Sequence, residues 1–300
     1  MTPKWTVGRK CLLMTSLLVS VLLVVCIVAV KVWMDTGTTK RVNEETIQRM
    51  ELLWENTVSP ALAADIQLTS SVYSLAEVMY VPMVTAFSTR NETWLQDFYD
   101  HFCRTVSLGA DAYANSEVNT LSQMDYFAFA AAYLALCEAN DQQNLVPVGL
   151  DSLLYERIIG QWESPAWHWG REDYPDMAAR IQGKLNKELT DKTYYVAYID
   201  EELFLLSAAS CLRWYYQEQS ADIYAENIRK LEGITKYIPL VMKDAFVFQD
   251  GAWRVQPGVW ADHPEMLYSN YKEILPDMKP AADPGIELDV SHFSRWPIWL

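Results

Sequence analysis

Residues 11–30 read CLLMTSLLVSVLLVVCIVAV, an unbroken run without a charge, a proline or a glycine. About 20 apolar residues in a helix cross a hydrocarbon core about 30 Å thick. This segment constrains the rest of the chain more than any other, because whatever follows must fold on one side of a membrane. Lys4, Arg9 and Lys10 precede it and hold the short N-terminus in the cytoplasm. A cleaved secretory signal has an apolar region of about 7–15 residues ending at a small-x-small site. Here the run is longer, and Ala29 is the small residue at its end. Val25, before Cys26, is not the small residue that a lipoprotein signal needs. The expectation is a retained signal-anchor in the cell membrane. Residues 1–10 would be cytoplasmic, 11–32 a transmembrane helix, 33–41 a stalk, and 42–300 an external domain.

The external part is acidic. Four of the 24 basic side chains precede Asp35, the first acid, which leaves 20 basic against all 39 acidic side chains. Such a surface repels nucleic acid and other polyanions. Cys103, Cys137 and Cys211 lie outside the apolar run, an odd number that cannot all pair internally. Cys137 and Cys211 each sit in an apolar, helical stretch and read as buried free thiols. Asn91-Glu92-Thr93 fits a glycosylation acceptor.

From Val42 the spacing is helical, with Ile47, Met50, Leu53 and Trp54 on one face until Ser59-Pro60. A second long stretch runs from Ala61 to Phe87, with Pro82 as a kink or stop. Asn91 caps a helix to about Val106 that turns Trp94, Leu95, Phe98, Tyr99 and Phe102 inward. Gly109 to Asn115 is a loop, and Ser116 caps a helix through Ala139. The centre of that helix, DYFAFAAAYLALCEA, is apolar nearly all round and therefore buried. Gly149-Leu150-Asp151 opens a helix to about Trp162, and Asp176 to Leu189 is amphipathic. Asp191 or Asp200 opens the next, whose body EELFLLSAASCLRWYY has the same small-and-aromatic texture. Ser220 caps a helix to about Phe248, kinked near Pro239. Beyond Gly251 six prolines exclude long helices, leaving a short one from Pro264 to Ile274. Short β patterns occur at Tyr194 to Tyr198 and Phe246 to Phe248. The fold class is all-α: antiparallel helical hairpins in two layers, preceded by one transmembrane helix.

Asp200-Glu201-Glu202-Leu203 before an Ala-rich helix resembles the start of an inner helix in α/α-toroid glycoside hydrolases and polysaccharide lyases. Met124-Asp125-Tyr126 before FAFAAAY resembles the same feature. The likeness covers two helices. Such toroids use roughly five to seven hairpins and this chain has room for about four, so it implies an incomplete, arc-like arrangement. It also implies catalytic carboxylates at the starts of inner helices, which here are Asp125, Glu201 and Glu202.

Two further regions are rich in chemistry. The last fifty residues hold Asp262-His263 and Asp289-Val290-Ser291-His292, each an imidazole near a carboxylate that can orient and charge it. Trp260, Tyr268, Asp289 and Arg295 surround them, and aromatic faces beside carboxylates suit sugar rings. The alternative for this segment is a cover over helix ends. Trp167-His168-Trp169, close to Glu163, Glu172 and Asp173, reads as a binding rim or as tryptophans tucked into hairpin ends. His101 reads as structural. No ligand pair has metal-site spacing, and no cofactor is expected. There is no Walker loop, GxGxxG, GxSxG or CxxC, which argues against nucleotide enzymes, common serine hydrolases and thiol oxidoreductases. The expected function is a membrane-anchored external protein acting on polysaccharide or glycan, with His263 or His292 working beside the carboxylates. The alternative is a non-catalytic helical module that binds a protein or glycan at the cell surface.

Overall fold

The computed structural model describes residues 44–66, 68, 71–114, 119–166, 174–187, 197–198, 201–219, 221–259, 277 and 285–287. The apolar run 11–30 and the helix expected from Pro264 lie outside them. No helix among the described residues is long and apolar enough to cross a membrane. The chain divides into two units, residues 1–54 and 55–300.

Of the first unit the structure describes α1 (Glu44–Leu53) and Trp54. The helix forms as its spacing predicts, but Ile47 and Leu53 on the expected inner face are 44% and 60% exposed.

The described residues of the second unit are mostly helical, with one hairpin and an isolated bridge between Ala166 and Tyr174. A π-helical turn (Trp54–Val58) enters it and leads into α2 (Ser59–Ala63), with Pro60 in the first turn, where its missing N–H goes unused. Then come α3 (Ser71–Thr89), α4 (Glu92–Ala114) and α5 (Thr120–Ala139). A 3₁₀ turn at Gln143–Leu145 precedes α6 (Leu150–Glu163). Next are α7 (Met177–Leu185), α8 (Glu201–Glu218), α9 (Ala221–Thr235) and α10 (Ile238–Ala245).

Local chemistry sets the boundaries. Asn91 caps α4 by accepting from the Trp94 amide at 3.2 Å, as its side chain suggests. Gly109, at φ 75 and ψ 162, breaks that helix where a loop was expected, yet helical backbone resumes to Ala114. The cap of α5 is Asn119, which accepts from Ser122 N at 2.8 Å, rather than Ser116. Pro82 does not stop α3. The helix continues to Thr89, and the proline lies beside exposed Val78 and Val81, where water can meet the carbonyl it strands. Residues 61–87 are two helices, because Ala64 is extended after α2. Asp176 caps α7 by accepting from Ala179 N at 2.7 Å.

The helix expected from Ser220 to Phe248 is α9, α10 and a strand. Pro239 opens α10 instead of kinking one helix. Strands β1 (Phe246–Gln249) and β2 (Ala252–Val255) pair antiparallel, with Phe248 opposite Trp253. Asp250 and Gly251 both have positive φ, 54 and 80, the geometry of a two-residue type I′ turn.

The core is built around α5, and α8 is its most extensive partner. Thirteen of α5's residues are buried, as its composition predicts. Phe129 and Tyr133 meet Phe98 and Phe102 of α4 with ring centroids 4.5–6.4 Å apart. Each such fully buried side chain contributes roughly 1.5–3 kcal/mol. Tyr80 packs edge-on against Phe129 and Phe87 against Tyr133, so α3 and α5 run parallel. Phe98 near Tyr133 and Tyr113 near Tyr126 set α4 antiparallel to α5.

Candidate ligand pocket and buried ion cluster

Three helical stripes face one another across a pocket of about 700 Å³. Helix α5 offers Ala132, Ala135, Leu136 and Ala139, whose short side chains leave a furrow. Helix α8 offers Ser207, Cys211 and Trp214, and α3 offers Glu77, Tyr80, Val81 and Val84. Each set recurs at three or four residues, so each is one helix face. Val81 and Trp214 are 75% and 37% exposed and form the rim, while Met83 is fully buried.

The polar groups here are few. The Tyr80 hydroxyl is buried and has no hydrogen-bond partner among the described residues. Burial first, and then the Asp125 carboxylate, push its pKa well above the ordinary value, so it stays a neutral donor. Asp125, a sequence candidate, is itself buried and lies two turns before Ala132 on the same face of α5. Thr85 spends its hydroxyl proton on Val81 O at 2.8 Å. Burial pushes the Cys211 thiol up to about 11, which keeps it protonated and a poor nucleophile. Cys103, Cys137 and Cys211 are all free thiols; Cys137 is buried as expected, whereas Cys211, expected to be buried, is half-buried because it lines the pocket.

The other two candidate carboxylates sit elsewhere. Glu201 and Glu202 begin α8 and meet Arg180 and Lys184, which lie one turn apart on α7. Arg180 pairs with Glu201, and its Nε is 3.0 Å from Glu202 Oε1. Lys184 pairs with Glu202 and donates to Ala197 O at 2.7 Å. Glu202 is fully buried, and Arg180 and Lys184 are 3% exposed. Burial alone would raise the Glu202 carboxyl, but the two cations outweigh it and hold it down at about 2. Burial pushes Lys184 down to about 8, against the attraction of Glu202. A carboxylate so held stays ionised near neutrality and cannot act as a general acid there.

The cluster continues into the hairpin. Tyr198 donates to Asp244 Oδ2 at 3.0 Å, and Lys187 pairs with the same carboxylate. Gln256 clamps Tyr198 through both ends of its amide, accepting from Tyr198 N at 2.7 Å and donating to Tyr198 O at 2.9 Å. The cluster therefore ties α7, α8 and the end of β2 together.

His101 is buried, as its structural reading expects. Its Nδ1 is 3.0 Å from Leu62 O, which can only accept, so that nitrogen carries the proton. Nε2 then accepts from the Tyr126 hydroxyl at 2.8 Å.

His263 and His292 lie outside the described residues, as do Trp167, His168, Trp169, Trp260, Asp262, Tyr268, Asp289 and Arg295. Ala166 and Tyr174, on either side of residues 167–173 in the sequence, are joined by paired backbone hydrogen bonds, both 2.9 Å. Among the described residues no group of three metal-ligating side chains converges. Sequence reasoning missed the pocket and the two cations of the cluster. The alanine stripe of α5 and the Arg180/Lys184 pair beside apolar Met177 and Ile181 were the available signals. Comparison with known families, with curated proteins and with solved structures gives no significant match.

Proposed function

We propose that this protein is a non-catalytic, membrane-tethered helical module that binds a small molecule with an apolar body between α3, α5 and α8. One observation carries the reading: a pocket of about 700 Å³ walled mainly by alanine, valine, leucine and tryptophan. Ligand pockets fall at roughly 300–1,000 Å³, with mostly apolar walls and a few polar groups. Tyr80 and Ser207 supply those polar groups. Arg180 and Lys184 both meet Oε1 of Glu202 and hold that carboxylate ionised, which favours binding over acid catalysis there.

The experiment is calorimetric titration of the full chain in zwitterionic nanodiscs with 4-phenylbutan-1-ol, with empty nanodiscs subtracted. Ala135→Trp and Val84→Trp each fill the pocket, the second from a position 49% exposed where the core is untouched. Binding to wild type and loss in both variants, with melting temperatures retained, supports the reading. Equal binding by all three contradicts it. The tether rests on residues 11–30 and predicts that the chain stays with membranes through alkaline carbonate extraction.

The parallel run of α3 and α5, with α4 antiparallel to α5, favours a second reading, an arc of an α/α toroid acting on glycans through Asp125. The pocket's lining supports it less, because sugar hydroxyls need more polar partners than this wall supplies. Loss of polysaccharide degradation in Asp125→Asn, with the fold intact, would favour it.

A further inference from the structure

We infer that the ligand of this pocket is an apolar amine, an aromatic or aliphatic body with a protonated nitrogen received at the rim by Glu77 and Trp214. This rests on the pocket reading above and adds the charge of the head group.

Glu77 is the one charged side chain among the described residues lining the pocket. No lysine or arginine stands among them, so a carboxylate or phosphate head would meet an acid and no cation. Glu77 lies one turn before Tyr80 and Val81 on α3, at the exposed mouth rather than in the apolar floor. Trp214, on α8, lines the same pocket and is partly exposed. A carboxylate and an indole on two walls are the partners an ammonium takes, one by charge and one by its ring face. Arg213, next to Trp214 in sequence, donates instead to Thr235 Oγ1 at 2.9 Å and is not a lining residue. The chain's formal charge of −15 raises the local concentration of cations and lowers that of anions. Deeper in, the apolar walls suit a hydrocarbon or aryl body.

The test uses three probes of one shape: 4-phenylbutylamine, 4-phenylbutan-1-ol and 4-phenylbutanoate. Each is titrated at pH 7 into the full chain in zwitterionic nanodiscs. An exposed ion pair together with an exposed cation–π contact predicts the amine about tenfold tighter than the alcohol. The carboxylate should bind weakest. In Glu77→Gln the amine keeps only the small advantage that the Trp214 ring gives it, about two- to threefold, and in Glu77→Lys the carboxylate becomes the tightest of the three. Equal affinities for all probes, or an amine preference undiminished in Glu77→Gln, overturn the amine inference and leave the pocket reading standing. No binding of any probe removes both.

Discussion

Nε2 of His101 on α4 accepts a hydrogen bond from the hydroxyl of Tyr126 on α5 at 2.8 Å, inside a core that excludes water from both. Thr105 Oγ1 lies 2.6 Å from the same hydroxyl oxygen, and Leu62 O of α2 takes the Nδ1 proton. Three helices thus share one polar chain, and its Tyr126–His101 link requires a neutral imidazole, because a protonated Nε2 cannot accept.

That requirement makes stability depend on pH. Burial pushes His101 down to about 4 from its ordinary 6.5. Between those values the unfolded chain binds a proton that the folded chain does not, so this group's contribution is intact above pH 6.5 and is lost as pH falls through 4. The loss amounts to roughly 3 kcal/mol at its limit. Denaturant unfolding at stepped pH should show this slope, and His101→Gln should flatten it. Tyr126→Phe should cost about 1–3 kcal/mol at pH 7 by stranding Nε2. An unchanged slope in His101→Gln would contradict the assignment.

Glu202 gives a second, separate limb. Its carboxyl is held down at about 2 by Arg180 and Lys184, below its ordinary 4.5, so its stabilisation is present above pH 4.5 and is lost as pH falls toward 2. Glu202→Gln should destabilise by about 3–5 kcal/mol, because two buried cations lose their shared partner. Replacing the trio together, as Glu202→Leu with Arg180→Met and Lys184→Met, should recover most of that loss. A loss no larger than that of a surface substitution would show that the cluster is not closed in solution.

Gly183 on α7 lies against the ring of Tyr174. A Cβ at position 183 would sit 2.8 Å from Cζ and 2.9 Å from Cε1 of that ring, closer than side chains tolerate. Tyr174 is buried and its backbone is paired with Ala166, so the ring has little room to give way. Gly183→Ala should therefore lower stability by about 1–3 kcal/mol. Tyr174→Leu in the same chain should restore part of it, as melting temperatures would reveal. Additive effects of the two changes would argue against the contact.

The helices were legible where one physical signal dominated. The texture of 125–138 and 203–216 fixes two helices buried nearly all round, and α5 and α8 are the principal packing pair of the core. Asn91 announced its cap, and Asp176 opened the amphipathic stretch that holds α7. Legibility failed where a local cue had two outcomes. Pro82 can stop a helix or ride on its solvent side, and only packing decides. Asp250-Gly251 between alternating residues was a hairpin signal, masked by the helical run before it. Of the candidate site, the sequence singled out Asp125, which lies near the pocket. Glu201 and Glu202 were singled out too, but their partners Arg180 and Lys184 come from another helix, a pairing that spacing cannot express. The pocket itself is a gap between alanines of one helix and the faces of two others; the alanine stripe hints at room, but only packing decides which faces border it.

Where a ligand sits is the question on which this account turns, and photo-crosslinking answers it directly. A neutral phenylbutyl diazirine, photolysed with the full chain in nanodiscs and mapped by peptide mass spectrometry, should label segments bearing Val81, Val84 and Trp214. Excess 4-phenylbutan-1-ol should suppress that labelling, and Ala135→Trp should abolish it. Labelling spread over other helices, or untouched by competitor and variant alike, would contradict a binding site between α3, α5 and α8.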